Sequence, residues 1–184
     1  MSASGITLYI ATSVDGYVAD AEGGVDWLDA FQTKPDGDED VEGFSEFFET
    51  VDCLVLGATT YEQVLSFGEW PYGDTPTYVF THRDFSPATE AVRFVNGEIA
   101  DRVPELRRQY DHVWVVGGAQ LARSFFRERE IDAIRLSLVP ILLGDGIPLF
   151  SGGYDEQRLR LVETTTRDNG IVEHHYEVAD EDCV

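Results

Sequence analysis

The residues with the clearest chemical potential lie at one short junction in the second half of the chain. Residues 112–121 read HVWVVGGAQL, an apolar run that stops at Gly117-Gly118 and continues at once as an amphipathic segment. This order predicts a buried strand whose end meets a helix N-terminus with no side chain between them. Such a junction exposes backbone N–H groups and the positive end of the helix dipole. It is therefore a candidate site for a phosphate.

Two other predicted strands end in residues that suit the same kind of ligand. The segments are Gly57-Ala58-Thr59-Thr60 and Thr81-His82-Arg83. Ligands of open α/β sheets bind outside the carboxyl ends of the strands. The first segment offers a second helix start, and the second offers a hydroxyl and a guanidinium for another phosphate or a ribose edge. Taken singly, each segment also fits a tight turn, a helix cap or a solvated charge. Together they predict a dinucleotide cleft, although no GxGxxG motif is present.

The elements that must position these residues follow from hydrophobic periodicity. Strands are predicted at residues 6–11, 53–56, 77–81, 92–95, 112–116, 133–142, 158–166 and 171–178. Helices are predicted from residue 40 to about 51, after Gly57, at 99–110 and at 118–127. The alternation of strands with helices, followed by a hairpin at Asp168-Asn169-Gly170, predicts a mostly parallel sheet with an antiparallel end.

Three local details of this prediction depend on single residues. Thr59 or Thr60 is expected to cap its helix. Pro104 implies that its helix starts near Val103 or is kinked. Pro140 indicates an edge or a bulge in its strand.

Composition limits the classes of protein to which the chain can belong. Its 184 residues, 43% of them hydrophobic, suit a single domain spanning 1–184. Asp and Glu number 35 against 13 Lys and Arg, which gives a formal net charge of -22. A nucleic-acid partner needs a basic surface, so it is not expected. The absence of a long apolar run and of a signal-like start predicts a cytoplasmic protein with no membrane partner.

The excess of acidic residues and the spacing of the histidines and cysteines each support one further prediction. An acidic surface with Lys34 as the only lysine resembles proteins of salt-accumulating halophiles. The four histidines and two cysteines show no spacing typical of a metal site, so no metal is expected.

At this point the residues resemble a known family. The resemblance is to the dihydrofolate reductase superfamily, and within it to the reductase domain of bacterial and archaeal riboflavin biosynthesis. It spans almost the whole chain and depends on six segments. They are residues 6–11, SVDGYVA at 13–19, LGATTYE at 56–62, VFTHR at 79–83, VVGGAQL at 115–121 and PILLGDGIPLF at 140–150. The fold that the resemblance implies is an α/β three-layer sandwich with a mostly parallel central sheet and an antiparallel C-terminal hairpin.

The resemblance also implies a function, NADPH-dependent reduction of a pteridine- or pyrimidine-like compound by a homodimer. Ala11 and the Asp15-Gly16 turn would border the nicotinamide. Phosphate contacts would come from Gly57, Thr59 and Thr60, and contacts at the adenosine 2′-phosphate side from Thr81 and Arg83. The pyrophosphate and the nicotinamide ribose would lie against Gly117, Gly118, Ala119, Gln120 and Leu121. The family usually has a basic residue where this chain has Ala58, so NADH is possible if Arg83 does not replace it.

Three carboxylates, at two places in the chain, are candidates for the catalytic role. Dihydrofolate reductases proper use a buried carboxylate on the first helix, and counting back from Gly57 places Asp40 or Glu42 near that position. Both of these lie in an acidic patch, where a solvated surface position is the commoner role of a carboxylate. Asp15 is the other candidate, and it also fits a turn residue before Gly16. Trp70 and Tyr72 are predicted at the rim of the pocket, and Trp27 and Phe44 could stack on a flat heterocycle.

The sequence therefore predicts a reductase whose substrate could be the ribosylaminopyrimidine of riboflavin synthesis. Deaminase activity is excluded because the His-x-Glu and Pro-Cys-x-x-Cys signatures of zinc deaminases are missing. A pterin or dihydrofolate reductase is one alternative, and a nucleotide-binding protein with little turnover is another. The first of these lacks the usual Pro-Trp pair before the first helix.

Overall fold

An eight-stranded sheet forms the centre of the fold, and the strand at residues 5–13 lies inside it. The computed structural model describes residues 4–32 and 42–179. The strands are β1 (Gly5–Ser13), β2 (Tyr17–Ala19), β3 (Cys53–Gly57), β4 (Thr77–Phe80), β5 (Val92–Val95), β6 (His112–Gly117), β7 (Ala133–Val139), β8 (Ile147–Pro148), β9 (Leu159–Thr166) and β10 (Val172–Val178). The helices are α1 (Asp29–Gln32), preceded by a 3₁₀ turn at Asp26–Leu28, α2 (Glu42–Glu49), α3 (Ala58–Ser66), α4 (Ile99–Gln109) and α5 (Ala119–Arg127).

The main sheet has the strand order β5-β4-β3-β6-β1-β7-β10-β9. The six strands from β5 to β7 are parallel, whereas β10 is antiparallel to both β7 and β9. Strands β2 and β8 form a small second sheet that sequence analysis did not predict. The predicted α/β class, the parallel sheet and the C-terminal hairpin are confirmed.

Helices cover both faces of the sheet because the central strands are apolar on both sides. Cys53 and Val55 face a core formed with α4 and α5, in which Phe125 is fully buried. The residues that alternate with them, Leu54 and Leu56, point to the opposite face of the sheet. There they pack with Trp114 against α2 and α3. These two layers of helix and the sheet between them form the predicted three-layer sandwich.

The prediction that the helix of Pro104 starts near Val103 was wrong, and so was the prediction for Pro140. Helix α4 begins at Ile99, and Pro104 lies inside it. Ile99, Val103 and Leu106 are buried on one face, so their packing outweighs the backbone hydrogen bond that proline removes. Strand β7 ends at Val139 and pairs with neighbours on both sides, so Pro140 terminates an inner strand and does not mark an edge.

One buried histidine joins β6, β1 and the end of α2. His112 lies within hydrogen-bonding distance of Thr7 Oγ1 through Nε2 (3.0 Å) and of Thr50 through Nδ1 (3.0 Å). The ring is almost completely buried and packs on the edge of Phe47. Burial lowers the pKa of His112, because the charged imidazolium would lose its hydration.

This lowered pKa predicts a pH-dependent stability. Below the ordinary histidine pKa of about 6.5 the unfolded chain binds a proton that folded His112 resists, so the free energy of unfolding falls as the pH is lowered. The contribution of one such group is at most about 1.4 kcal/mol per pH unit. Denaturant unfolding of the wild type and His112→Gln between pH 7.5 and 5.5 measures it, with exposed His82→Gln as the control. Equal slopes in all three proteins would contradict the prediction.

Candidate functional site

The carboxyl ends of five parallel strands meet at one edge of the sheet. Because β4, β3, β6, β1 and β7 are neighbours in that order, the segments after β4, β3 and β6 lie side by side. The three strand ends that the sequence singled out therefore fall on one edge, in the order Thr81, Gly57, Gly117. Neighbouring strands are about 4.8 Å apart, so the end of β4 lies roughly 14 Å from β1. That span suits an extended dinucleotide.

Three glycines lie where β3 and β6 end next to each other. A side chain added to Gly57 would meet the Gly117 carbonyl oxygen and the Gly118 nitrogen at 3.7 Å. Gly117 has φ +129°, and a Cβ there would lie 3.2 Å from Ile10 Cδ1. A Cβ on Gly118 would lie 3.2 Å from Thr60 Oγ1. The peptide bond that joins Gly117 to Gly118 is cis. The result is a bare backbone surface between the two strand ends.

Two helices begin at this surface without a side-chain cap. Gly57 is the N-cap of α3 and Gly118 is the N-cap of α5, and neither position can supply a capping oxygen. The prediction that Thr59 or Thr60 caps α3 was wrong, because the helix begins at Ala58 and both threonines lie in its first turn. The first N–H groups of a helix have no partner within the helix. Two uncapped helix starts side by side can therefore bind negatively charged oxygens.

The first turn of α5 contains the remaining predicted pyrophosphate residues. Ala119, Gln120 and Leu121 follow Gly118 directly. Gln120 is exposed, whereas Leu121 is buried and its Cβ would lie 3.8 Å from a side chain at position 57. Leu121 thus packs beside Gly57 under the two helix starts, and Gln120 next to it is exposed to solvent.

The third strand end holds an ion pair. Arg83 binds both carboxylate oxygens of Glu62, at 3.2 Å from Nη1 and 2.6 Å from Nη2. The guanidinium also lies 4.9 Å from the centre of the Phe85 ring. The hydroxyl of Thr81 accepts a hydrogen bond from the Arg83 backbone nitrogen at 2.9 Å. The guanidinium that the sequence assigned to a phosphate is therefore already paired with a carboxylate.

Asp15 fixes a loop at the end of β1. Its carboxylate accepts hydrogen bonds from Ser13 Oγ (2.6 Å), from the Leu143 nitrogen (3.1 Å) and from the Gly144 nitrogen (2.8 Å). The pKa of Asp15 is lowered, chiefly by the Ser13 hydroxyl, because these donors stabilise the charged carboxylate. The next residue, Gly16, has φ +87° and accepts a hydrogen bond from the Leu149 nitrogen. The turn that was predicted to border the nicotinamide is thus joined by hydrogen bonds to the distant segment at residues 143–149.

A buried polar cluster lies next to Ala11 on the α2 face of the sheet. The cross-strand partner of Ala11 is Ser137, and the partner of Ser137 is Glu173. The Glu173 side chain is only 8% exposed and accepts hydrogen bonds from Tyr9 Oη (2.6 Å), Arg135 (3.3 Å) and Arg167 (3.2 Å). Burial and the Glu173 hydrogen bond raise the pKa of Tyr9, so its hydroxyl remains a donor.

Sequence reasoning missed Glu173 because nothing in its neighbourhood distinguishes it. It is one of 35 acidic residues, and it lies in a segment where alternation predicts only a strand. Burial of this carboxylate is decided by the pairing of β10 with β7, a contact between residues more than thirty positions apart. Asp40, the predicted first-helix carboxylate, lies outside the described residues.

The predicted aromatic rim is part of the core. Trp70 packs on Tyr61 and Tyr72, and Tyr72 also contacts Trp114. Burial raises the pKa of Tyr72 to about 12. Phe44 lies on α2, with its ring centre 6.2 Å from that of Tyr9, and so it faces the buried polar cluster. The Nε1 atom of Trp27 is buried without a hydrogen-bond partner among the described residues.

Comparison with known proteins agrees with this architecture. The family model of the RibD C-terminal domain matches residues 5–173. YwjB of Bacillus subtilis strain 168, whose name says that it is uncharacterized, is 38% identical over 92% of this chain and 95% of its own. YyaP of the same strain is 28% identical, and the match covers 93% of this chain and 93% of YyaP.

Solved structures show the same fold. A protein from Shewanella sp. PV-4 named after riboflavin biosynthesis superimposes with a TM-score of 0.83 at 29% identity, covering 96% of this chain and 99% of that one. A deaminase/5-amino-6-(5-phosphoribosylamino)uracil reductase from Thermotoga maritima gives a TM-score of 0.69 at 16% identity. It matches 96% of this chain but only 57% of the longer one, and at this identity it shows the fold alone. The chain belongs to the RibD C-terminal domain family, within the dihydrofolate reductase superfamily.

Proposed function

We propose that the chain is a nicotinamide-dinucleotide-dependent reductase of a pyrimidine- or pteridine-like compound. The observation that supports this proposal most is the pair of uncapped helix starts at Gly57 and Gly118, which face one bare backbone surface. The family membership implies a reductase fold of riboflavin biosynthesis, and the ribosylaminopyrimidine of that pathway is the substrate that we propose. Dimerisation and a cytoplasmic location remain predictions. Among the described residues, no helix is long and apolar enough to cross a bilayer.

The cleft residues fit the pyrophosphate of a dinucleotide. Thr60 Oγ1 lies beside Gly118, and the first turns of α3 and α5 direct N–H groups to the same surface. Backbone donors bind phosphate oxygens without adding a charged side chain. Ala11 and Gly16 lie at the end of β1, one strand from Gly117, where the nicotinamide would lie. When bound, the dinucleotide supplies the hydride, and the protein positions and orients the two reactants.

The substrate is proposed to lie against the α2 side of β1. Tyr9, Ser137 and Glu173 line the sheet there, and Phe44 of α2 faces them. This environment combines an aromatic wall with fixed polar groups, as in many small-molecule sites. Glu173 orients Tyr9 and Arg167, so we assign it a positioning role. Asp15 holds the loop of residues 143–146 through backbone N–H groups, which supports a positioning role for it as well.

Turnover distinguishes this proposal from a binding protein with little activity. We expect NADPH or NADH to quench tryptophan fluorescence, and absorbance at 340 nm to fall when a ribosylaminopyrimidine is added. Oxidation with dihydrofolate alone would favour the pterin alternative. Binding without turnover on a panel of pyrimidines and pteridines would contradict the reductase assignment, and no binding of either dinucleotide would contradict the cofactor site.

Gly118→Ala tests the backbone surface directly. The added methyl group would lie 3.2 Å from Thr60 Oγ1 and would occupy the space proposed for phosphate. Gly118 has φ -81°, which alanine adopts without strain, and the Thr60 side chain needs to shift by only a few tenths of an ångström. We therefore expect a small change in thermal stability. Dinucleotide affinity should fall about tenfold or more, which corresponds to roughly 1.4 kcal/mol. Unchanged affinity in a stable variant would exclude this surface as the phosphate site.

Asp15→Asn separates loop positioning from proton transfer. If Asp15 only holds the loop, kcat falls while the pH dependence of kcat keeps its shape. The free energy of unfolding should also fall at neutral pH, because the amide keeps one acceptor oxygen for three donors. That loss should vanish as the pH drops below the ordinary pKa of 3.8 and through the lowered folded pKa, where wild-type Asp15 becomes protonated. A changed pH profile of kcat would assign Asp15 to proton transfer; Asp168→Asn in the exposed hairpin is the control.

A further inference from the structure

The adenosine end of the proposed cleft lacks the positive charge that a 2′-phosphate needs. A phosphate monoester carries about -1.5 to -2 charges at neutral pH. In this chain position 58 is alanine, and Arg83 is bound by both carboxylate oxygens of Glu62. The charges of that pair cancel, and Asp84 is the next residue along the chain.

The position of Glu62 explains the pairing. It lies four residues after Ala58 in α3, so the two residues share one face of the helix one turn apart. A basic residue at 58 would lie above Glu62 and could neutralise it. With alanine there, Arg83 at the end of β4 is the cation that pairs with the carboxylate.

We propose that this site selects NADH, with Glu62 accepting a hydrogen bond from the adenosine 2′-hydroxyl. In Rossmann sites a carboxylate about 20 residues after the glycine-rich turn accepts such a bond from the ribose. Here Glu62 would accept it from within α3. The side chain is 47% exposed, so one lone pair of the carboxylate can reach a ligand while Arg83 keeps the group in place. A 2′-phosphate at the same position would instead face the carboxylate. This inference depends on the dinucleotide site proposed above and specifies which dinucleotide it takes.

The net charge of -22 also favours binding of NADH over NADPH. NADPH carries more negative charge than NADH, so the field of the whole protein opposes it more strongly. At about 6 Å in water, the repulsion between one carboxylate and a doubly charged phosphate corresponds to roughly a tenfold change in affinity. Molar salt shortens the Debye length to about 3 Å, so the discrimination should weaken there.

The test compares dissociation constants for NADH and NADPH, measured by tryptophan fluorescence or calorimetry at low and at molar salt. We expect the wild type to bind NADH more tightly. Glu62→Gln should shift the ratio of the two constants toward NADPH by about three- to tenfold at low salt, and by less in molar salt. Ala58→Arg should shift it in the same direction by adding a positive charge. The control is Glu177→Gln, since Glu177 has the same 47% exposure and pairs with Arg160 at the far end of the sheet.

The outcomes separate this inference from the proposed function. Tighter binding of NADPH by the wild type, or a ratio that Glu62→Gln does not change, would overturn NADH selection and leave the dinucleotide site intact. An equal shift in Glu177→Gln would attribute the effect to total charge and would also overturn it. If neither dinucleotide binds, the dinucleotide site itself is wrong.

Discussion

The absence of side chains where β3 and β6 end is the constraint on which the rest of the site depends. The backbone of Gly117 and Gly118 lies against the end of β3. A Cβ on Gly118 would lie 3.2 Å from Thr60 Oγ1, and Gly117 takes a φ of +129° that favours glycine. Because of this contact, two helices start next to each other with their N–H groups facing the same surface. Any side chain at this point would fill the surface on which a phosphate could bind.

This arrangement also resolves an electrostatic difficulty. A protein with 35 acidic and 13 basic residues has few cations available for anionic ligands. Several described arginines are held by carboxylates: Arg83 by Glu62, Arg107 by Glu130 and Asp132, and Arg135 by Glu173. Backbone N–H groups at helix starts supply partial positive charge that no carboxylate side chain neutralises. A phosphate site built from backbone groups therefore suits a protein with this excess of acidic residues.

The two sides of β1 differ in the groups that they present to a ligand. The edge that leads to Gly117 is bare and backbone-lined, which suits a charged, extended cofactor. The α2 side is lined by aromatic rings and contains the buried Glu173, whose charge is balanced by Arg135 and Arg167. A buried charge without such partners would cost several kcal/mol, so these contacts fix the side chains in one arrangement. Fixed polar groups beside an aromatic wall favour a flat ligand with a defined orientation.

The sequence by itself determined the fold class, the strand-to-helix order and the three strand ends, because each is encoded by local periodicity and by glycine. Alternation at residues 171–178 and the Asn169-Gly170 turn predicted the hairpin, and residues 112–121 predicted the β6–α5 junction. The resemblance to the family, and not the residues alone, showed that the usual basic residue is replaced by Ala58.

Only the tertiary structure decided which side chains meet. The burial of Glu173 depends on the register of β10 against β7, and the pairing of Arg83 depends on α3 lying beside the end of β4. The role of Asp15 depends on a loop 128 residues away. These contacts join distant segments, and their energies depend on desolvation and geometry that no local pattern of residue types encodes.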